Sequence, residues 1–251
     1  MSGHSHWAKI KRAKASTDAR RGREWSKVAR RIIVAAREGG GKPEDNLTLR
    51  YAIDDAKAVN MPNDTIDRAI KKGTGELGEV SYEQVLYEGY GPGGVAFMVE
   101  CLTDSRNRAA AEMRKMFERA GGQLGATNCV AWMFTSKGTF VISADQTDED
   151  ALMEIALDAG ADDVTREGDL FEIVCDLGSF AAVKEALAEK DIETISAERG
   201  LVPANRVRVD GQKAQQVIKL METLEDHDDV QHVYANFDIP EEVMAEAEES
   251  A

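Results

Sequence analysis

The sequence predicts an α+β fold: an N-terminal three-helix domain followed by two ferredoxin-like α/β domains, one inserted in the other. Three observations predict it. Up to about residue 78, apolar residues recur only at helical spacing, and β-type runs bounded by Gly and Pro appear after that. From Thr139 to Val202 the pattern runs βαββαβ, the order of the ferredoxin-like split unit. A ββα stretch over 82–120 and an αβ stretch over 211–237 each supply part of a unit, so the segment between them reads as an insertion. The expected boundaries are 1–78 for the helical domain, 79–135 plus 204–240 for the discontinuous domain, 136–203 for the inserted domain and 241–251 for an acidic tail.

The elements follow in order. Residues 1–15 read as a basic arm. A helix is expected from Ser16 or Thr17, both good N-caps, to Glu38, where Gly39–Gly41 end it. Pro43 is expected to open a second helix to about Val59, with Leu47, Tyr51, Ile53 and Ala56 as its apolar positions, because Pro suits a first helical turn. Pro62 opens a third, with Ile66, Ala69 and Ile70 on one face, stopped at Gly73. Val85–Tyr90 and Val95–Leu102 read as strands around Gly91-Pro92-Gly93-Gly94, Arg106–Ala120 as a helix, and Val130–Phe134 as a strand closed by a turn at Ser136–Gly138. In the insertion, Thr139–Ser143 is a strand and Asp148–Ala159 a helix. A hairpin joins Asp163–Glu167 to Leu170–Cys175, Phe180–Lys190 is a helix, and a strand lies within Ile192–Val202. Gly211–Glu225 reads as a helix and Val230–Phe237 as the last strand.

The 251 residues fit one large domain or two to three small ones, and 43% hydrophobic residues suffice for real cores. No run approaches the roughly 20 apolar residues of a membrane helix, and the N-terminus turns basic at once, so a cytoplasmic protein without membrane contact is expected. Cys101, Cys129 and Cys175 lack metal-ligand spacing and sit among apolar residues, as buried small hydrophobes in a reducing compartment do. The net charge of −15 is unevenly spread. Residues 1–42 hold 12 Lys/Arg against 3 Asp/Glu, a net of +9, and the other 209 residues hold 19 against 43, a net of −24. A basic module that meets a polyanion, on an acidic body repelled by it, follows from that asymmetry.

On the first helix, Arg20, Arg23, Lys27, Arg30 and Arg37 fall within about one-third of the circumference, opposite Trp25, Val28, Ile32 and Ala36. One face is expected to dock on the bundle and the other to present a row of cations to phosphates. An ordinary solvated face would have acids interspersed, yet only Asp18 and Glu24 interrupt Lys9 to Arg37. The candidate nucleic-acid-binding residues are Lys9, Lys11, Arg12, Lys14, Arg20, Arg21, Arg23, Lys27, Arg30, Arg31, Arg37 and Lys42. Secondary contacts are considered at His4, His6, Trp7, Tyr90, Arg106 and Arg108. Trp7 can stack on a base or pack on the bundle. Two His on an arm with no Cys partner are a weak metal signal, and no metal or cofactor is expected. Gly73–Gly78 matches G-x-G-x-x-G but follows a helix, so it reads as a linker. Tyr87–Gly94 lacks the Lys-Ser/Thr of a phosphate-binding loop and reads as a tight strand-to-strand turn, the alternative being that its backbone meets RNA or a partner. Asp104–Arg108 offers either a helix cap or a phosphate contact. No nucleophile-elbow, zinc or kinase motif is present, so no catalytic residues and no enzyme are expected.

Several motifs are shared with a known family: Gly3-His4-Ser5, Trp7-Ala8, Asp18-Ala19 with Arg21-Gly22, Glu38–Gly41, Asn60-Met61-Pro62, Tyr87–Gly94, Glu100–Arg108 and Leu224–Gln231. Through them the chain resembles the YebC/PmpR family, which also includes a mitochondrial translational activator of cytochrome oxidase. The resemblance spans essentially the whole chain. His6 and Glu24 depart from it, both lowering positive charge where a basic residue is common. It implies three domains and a non-enzymatic, DNA-binding transcriptional regulator. The alternative is a ribosome-associated translation factor contacting rRNA. A protein partner on the acidic domains is compatible with either.

Overall fold

The computed structural model describes residues 18–78 and 81–240, with side chains from residue 21 onward. Helix α1 (Asp18–Gly39), α2 (Leu47–Ala58) and α3 (Asn63–Gly73) form a bundle. Val28, Ile32, Ile33, Ala35 and Ala36 of α1 bury against Leu49, Ala52 and Ala56 of α2 and Ile66 and Ala69 of α3. Trp25 packs on this core, and its indole N–H donates to the Val59 carbonyl at 2.9 Å. Pro43 does not open α2. Residues 43–45 form a turn, and Asn46 is the N-cap, its Oδ1 accepting the Leu49 N–H at 3.0 Å. The Asn46 amide also donates to the carbonyls of Ala35 (2.7 Å) and Gly40 (2.9 Å), clamping the α1–α2 connection. The buried face of α2 is Leu49, Ala52 and Ala56, and Leu47 and Tyr51, expected among its apolar positions, are exposed.

Strands β1 (Glu83–Tyr90), β2 (Ala96–Thr103), β3 (Gln123–Leu124) and β9 (Val230–Ala235) form a sheet in the order β3-β1-β2-β9. Helices α4 (Arg106–Arg119) and α7 (Gly211–Glu225) cover one face, burying Met113, Phe117, Val217, Leu220 and Leu224 against Phe97, Val99 and Cys101. Strands β8 (Val207–Arg208) and β10 (Phe237–Asp238) add a short parallel pair. The β1–β2 turn needs Gly93 and Gly94, at φ +74° and +80° in the left-handed region.

Between β3 and β8 lies the second sheet: β4 (Phe134–Ser143), β5 (Ala161–Glu167), β6 (Leu170–Cys175) and β7 (Thr194–Pro203), in the order β5-β6-β4-β7. That is the ferredoxin-like order, with α5 (Glu149–Asp158) and α6 (Phe180–Glu189) over a core that includes Phe140, Phe171 and Ile173. Two expectations fail here. Val130–Phe134 is not a strand, since a 3-10 turn at Ala131–Met133 precedes β4. Ser136–Gly138 is not a turn, since β4 runs straight through and pairs Gly138 with both Cys175 and Arg199. Gly138 serves packing instead: a Cβ there would lie 2.5 Å from the Phe180 ring. A third contact surface joins the sheets, with Ala96 and Met98 of β2 and Tyr234 of β9 packed with Phe134 and Leu201. Among the described residues, no helix is long and apolar enough to cross a membrane.

Candidate nucleic-acid interface

The cationic row of α1 faces the turn that follows α7. Arg23 pairs with Asp226 at 3.2 Å. The Lys27 ammonium donates to the Glu225 carbonyl at 2.5 Å, and Arg30 donates to the Asp228 carbonyl and pairs with the Asp229 carboxylate at 3.1 Å. The last carbonyls of a helix have no partner within it and carry the negative end of the macrodipole, so cations suit the end of α7. Arg30 also lies over the Tyr82 ring at 5.7 Å.

Asp229 is the hub of this contact. Its side chain is only 3% exposed, yet every part of it is matched. Besides Arg30, it accepts from Arg108 at 2.6 Å and from the Thr103 hydroxyl at 2.8 Å. Its backbone N–H donates to His227 Nδ1 at 3.1 Å, which leaves His227 Nε2 facing Glu112 at 2.9 Å. Glu112, His227 and Asp229 bring potential ligand atoms within 4.8 Å of one another. Ion pairs and hydrogen bonds account for that grouping, because two guanidinium groups already face the Asp229 carboxylate.

The other predicted residues are dispersed. Arg31 pairs with Asp55 of α2 at 2.9 Å, and Arg37 donates to the Ser81 hydroxyl and the Tyr82 carbonyl. Arg21 and Lys42 are exposed, with Arg21 over the Trp25 ring at 5.9 Å. Tyr90, on β1, donates its hydroxyl to the Cys129 carbonyl at 3.3 Å. Arg106 is exposed at the start of α4. Arg108 pairs with Asp104 and Asp229, so Asp104 is an ion-pair partner rather than a cap, and Ser105 occupies the N-cap position without a side-chain bond. His4, His6, Trp7, Lys9, Lys11, Arg12 and Lys14 lie outside the described residues, as do the side chain of Arg20 and the tail 241–251.

Sequence reading missed the partners of the row: Glu225, Asp226, Asp228 and Asp229. The available signal was Glu225-Asp-His-Asp-Asp229, four acids in five residues at the end of a helix, and it points only to Asp226 and Asp229, since Glu225 and Asp228 bond through backbone carbonyls. A second missed residue is Glu88, buried on β1. Its carboxylate accepts the backbone N–H groups of Asn128, Val130 and Ala131 at 2.7–2.9 Å and straps the loop before β4 to the sheet.

Comparison with known proteins agrees over the whole length. The family model described as "TACO1/YebC protein N-terminal domain" matches residues 5–76, and "TACO1/YebC second and third domain" matches 82–237. A protein of Desulforapulum autotrophicum is 52% identical over 243 residues, covering 97% of this chain and 98% of that one. A protein of Syntrophobacter fumaroxidans is 54% identical over 245 residues, again covering 97% and 98%. Both are named "Probable transcriptional regulatory protein". The crystal structure of a conserved hypothetical protein from Aquifex aeolicus superposes with a TM-score of 0.79 at 46% identity, covering 91% of this chain and 95% of that one. With both family models matched end to end across the bundle and the sheets, the chain belongs to the TACO1/YebC family.

Proposed function

We propose that the protein is a non-enzymatic, cytoplasmic regulator of gene expression that binds duplex DNA through its basic N-terminal stretch. The names of its relatives support a regulator of transcription. One observation carries the nucleic-acid part: a net of +9 is concentrated in residues 1–42 of a chain whose remainder carries −24. Such a module gains affinity from phosphate contacts and counterion release, while the acidic body restricts where the polyanion can lie. The acidic body is left to meet a protein partner.

A second reading, a translation factor on rRNA, is favoured by the packing of α1. One face of that helix is buried in the bundle and the cationic face meets the 225–229 turn, so α1 is not free to enter a major groove in this arrangement. Backbone and shape contacts suit structured RNA as well as DNA.

The test uses the arm, because reversing Arg23, Lys27 and Arg30 would also break an internal contact. Replacing Lys9, Lys11, Arg12 and Lys14 by Glu should abolish binding to labelled duplex DNA at moderate salt and leave the circular-dichroism melt unchanged. Removing each phosphate contact should flatten the salt slope by about one. Unchanged binding by this variant would refute the reading. Sucrose-gradient sedimentation of the wild type separates the two targets: co-migration with ribosomal particles favours rRNA, and protein at the top of the gradient that is retained on DNA favours transcription.

A further inference from the structure

We propose that the 225–229 turn is an internal competitor of nucleic acid, a latch that occupies the cationic face of α1 and is displaced when a polyanion binds there. The inference rests on the nucleic-acid reading and deepens it, by assigning a closed and an open state to that face.

Four observations carry it. The turn offers α1 what a phosphate backbone offers: carbonyl and carboxylate oxygens in succession, met by Arg23, Lys27 and Arg30 at successive turns of one helix face. Two of the bonds, those of Lys27 and Arg30, go to neutral backbone carbonyls. A phosphate oxygen is a stronger acceptor for the same donors, because a charge-assisted bond with both partners ionised exceeds one to a neutral carbonyl. The Arg23–Asp226 pair is exposed on both sides, so salt and competing anions reach it. Release also leaves no orphaned buried charge. When Arg30 departs, Asp229 keeps Arg108 at 2.6 Å and the Thr103 hydroxyl at 2.8 Å, both on its own side of the contact. Without those two partners, opening would expose the protein to the large penalty of a buried unpaired carboxylate. With them, the turn stays folded whether or not α1 is docked.

The latch is tested with the full-length protein. Neutralising Glu225, Asp226 and Asp228 together (Glu225→Gln, Asp226→Asn, Asp228→Asn) keeps the two carbonyl contacts but removes the Arg23–Asp226 pair and lowers the charge of the turn, and should raise affinity for labelled duplex DNA by about twofold to fivefold, the factor expected from losing one competing ion pair. Removing negative charge anywhere reduces repulsion, so the control neutralises three exposed acids of α5 (Glu149→Gln, Asp150→Asn, Glu154→Gln), which should change affinity far less. An equal gain in both variants would mean bulk charge and overturn the latch. A second readout measures the opening itself. Spin labels at Ser26→Cys on α1 and Thr223→Cys on α7, both exposed, in a Cys129→Ser background, should move apart when duplex DNA is added. Wild-type protein that binds DNA at an unchanged label distance overturns the latch and leaves the nucleic-acid reading standing. DNA bound by neither wild type nor variant overturns both.

Discussion

At the scale of single residues, what faces a carboxylate decides what replacing it does. Glu88 is held by three N–H donors that need an acceptor with several lone pairs. Glu88→Gln puts an NH2 against at least one of those donors. It should cost about 1–3 kcal/mol, read as a lower urea midpoint, with the largest loss of amide-exchange protection at Asn128, Val130 and Ala131. Glu100 lies on the same sheet, and burial raises its carboxyl pKa above the ordinary 4.5. Its charged form is the unwelcome one in the folded state, so protonation favours folding. The favourable term is fully present below 4.5 and is lost as pH rises through the folded-state value. Glu100→Gln should therefore raise the melting temperature at neutral pH, with a gain that fades as the pH is lowered through the carboxyl range. A gain that is constant with pH would count against this account. Burial also pushes the Cys101 thiol up to about 12, with Asp229 adding to the shift. Cys101 should resist alkylation at pH 8 in the native protein and react only once the chain is unfolded, as peptide mapping would show.

At the scale of elements, caps and connections decide how well the sequence can be read. Asn46 performs three tasks with one side chain, capping α2 and holding two carbonyls of the preceding connection. Asn46→Ala removes the cap, worth about 1 kcal/mol, and leaves those carbonyls short of a donor, for a total of about 2–4 kcal/mol on denaturant unfolding. Helical and strand periods predicted α1, α4, α7 and the β5–β6 hairpin within a residue or two, because each buries one regular face. The reading failed where a residue with a strong local habit served a tertiary purpose. Pro43 suggested a helix start, but Asn46 competes better for it. Gly138 suggested a turn, but its missing Cβ makes room for Phe180 in the middle of β4. The cationic face of α1 was legible as a face. Its occupant was not, because it lies some 200 residues away and shows up only as an acidic run of no stated purpose.

At the scale of the whole molecule, one guanidinium ties separate cores together. Arg199 of β7 lies 5.2 Å from the Tyr51 ring of the bundle and 5.0 Å from the Phe180 ring of its own unit. Nearby, Gly200 allows the Tyr234 ring of the first sheet to lie against the second, where a Cβ would come within 2.6 Å of it. Gly200→Val should therefore loosen the contact between the sheets more than either core. Calorimetry should show a single transition in the wild type splitting or broadening in the variant.

The second sheet also enters and leaves the chain at one spot. Phe134 pairs with Pro203, and the Ala204 N–H donates to the Met133 carbonyl at 2.8 Å. About 70 residues thus hang from two neighbouring backbone positions, as a branch hangs from a stem. A gene that lost or exchanged that branch would need only a short splice between Met133 and Ala204. The core of the first sheet would keep its own helices, but Ala96, Met98 and Tyr234 would need polar cover, Tyr51 would lose Arg199, and Arg206 would lose Glu167 and Glu172.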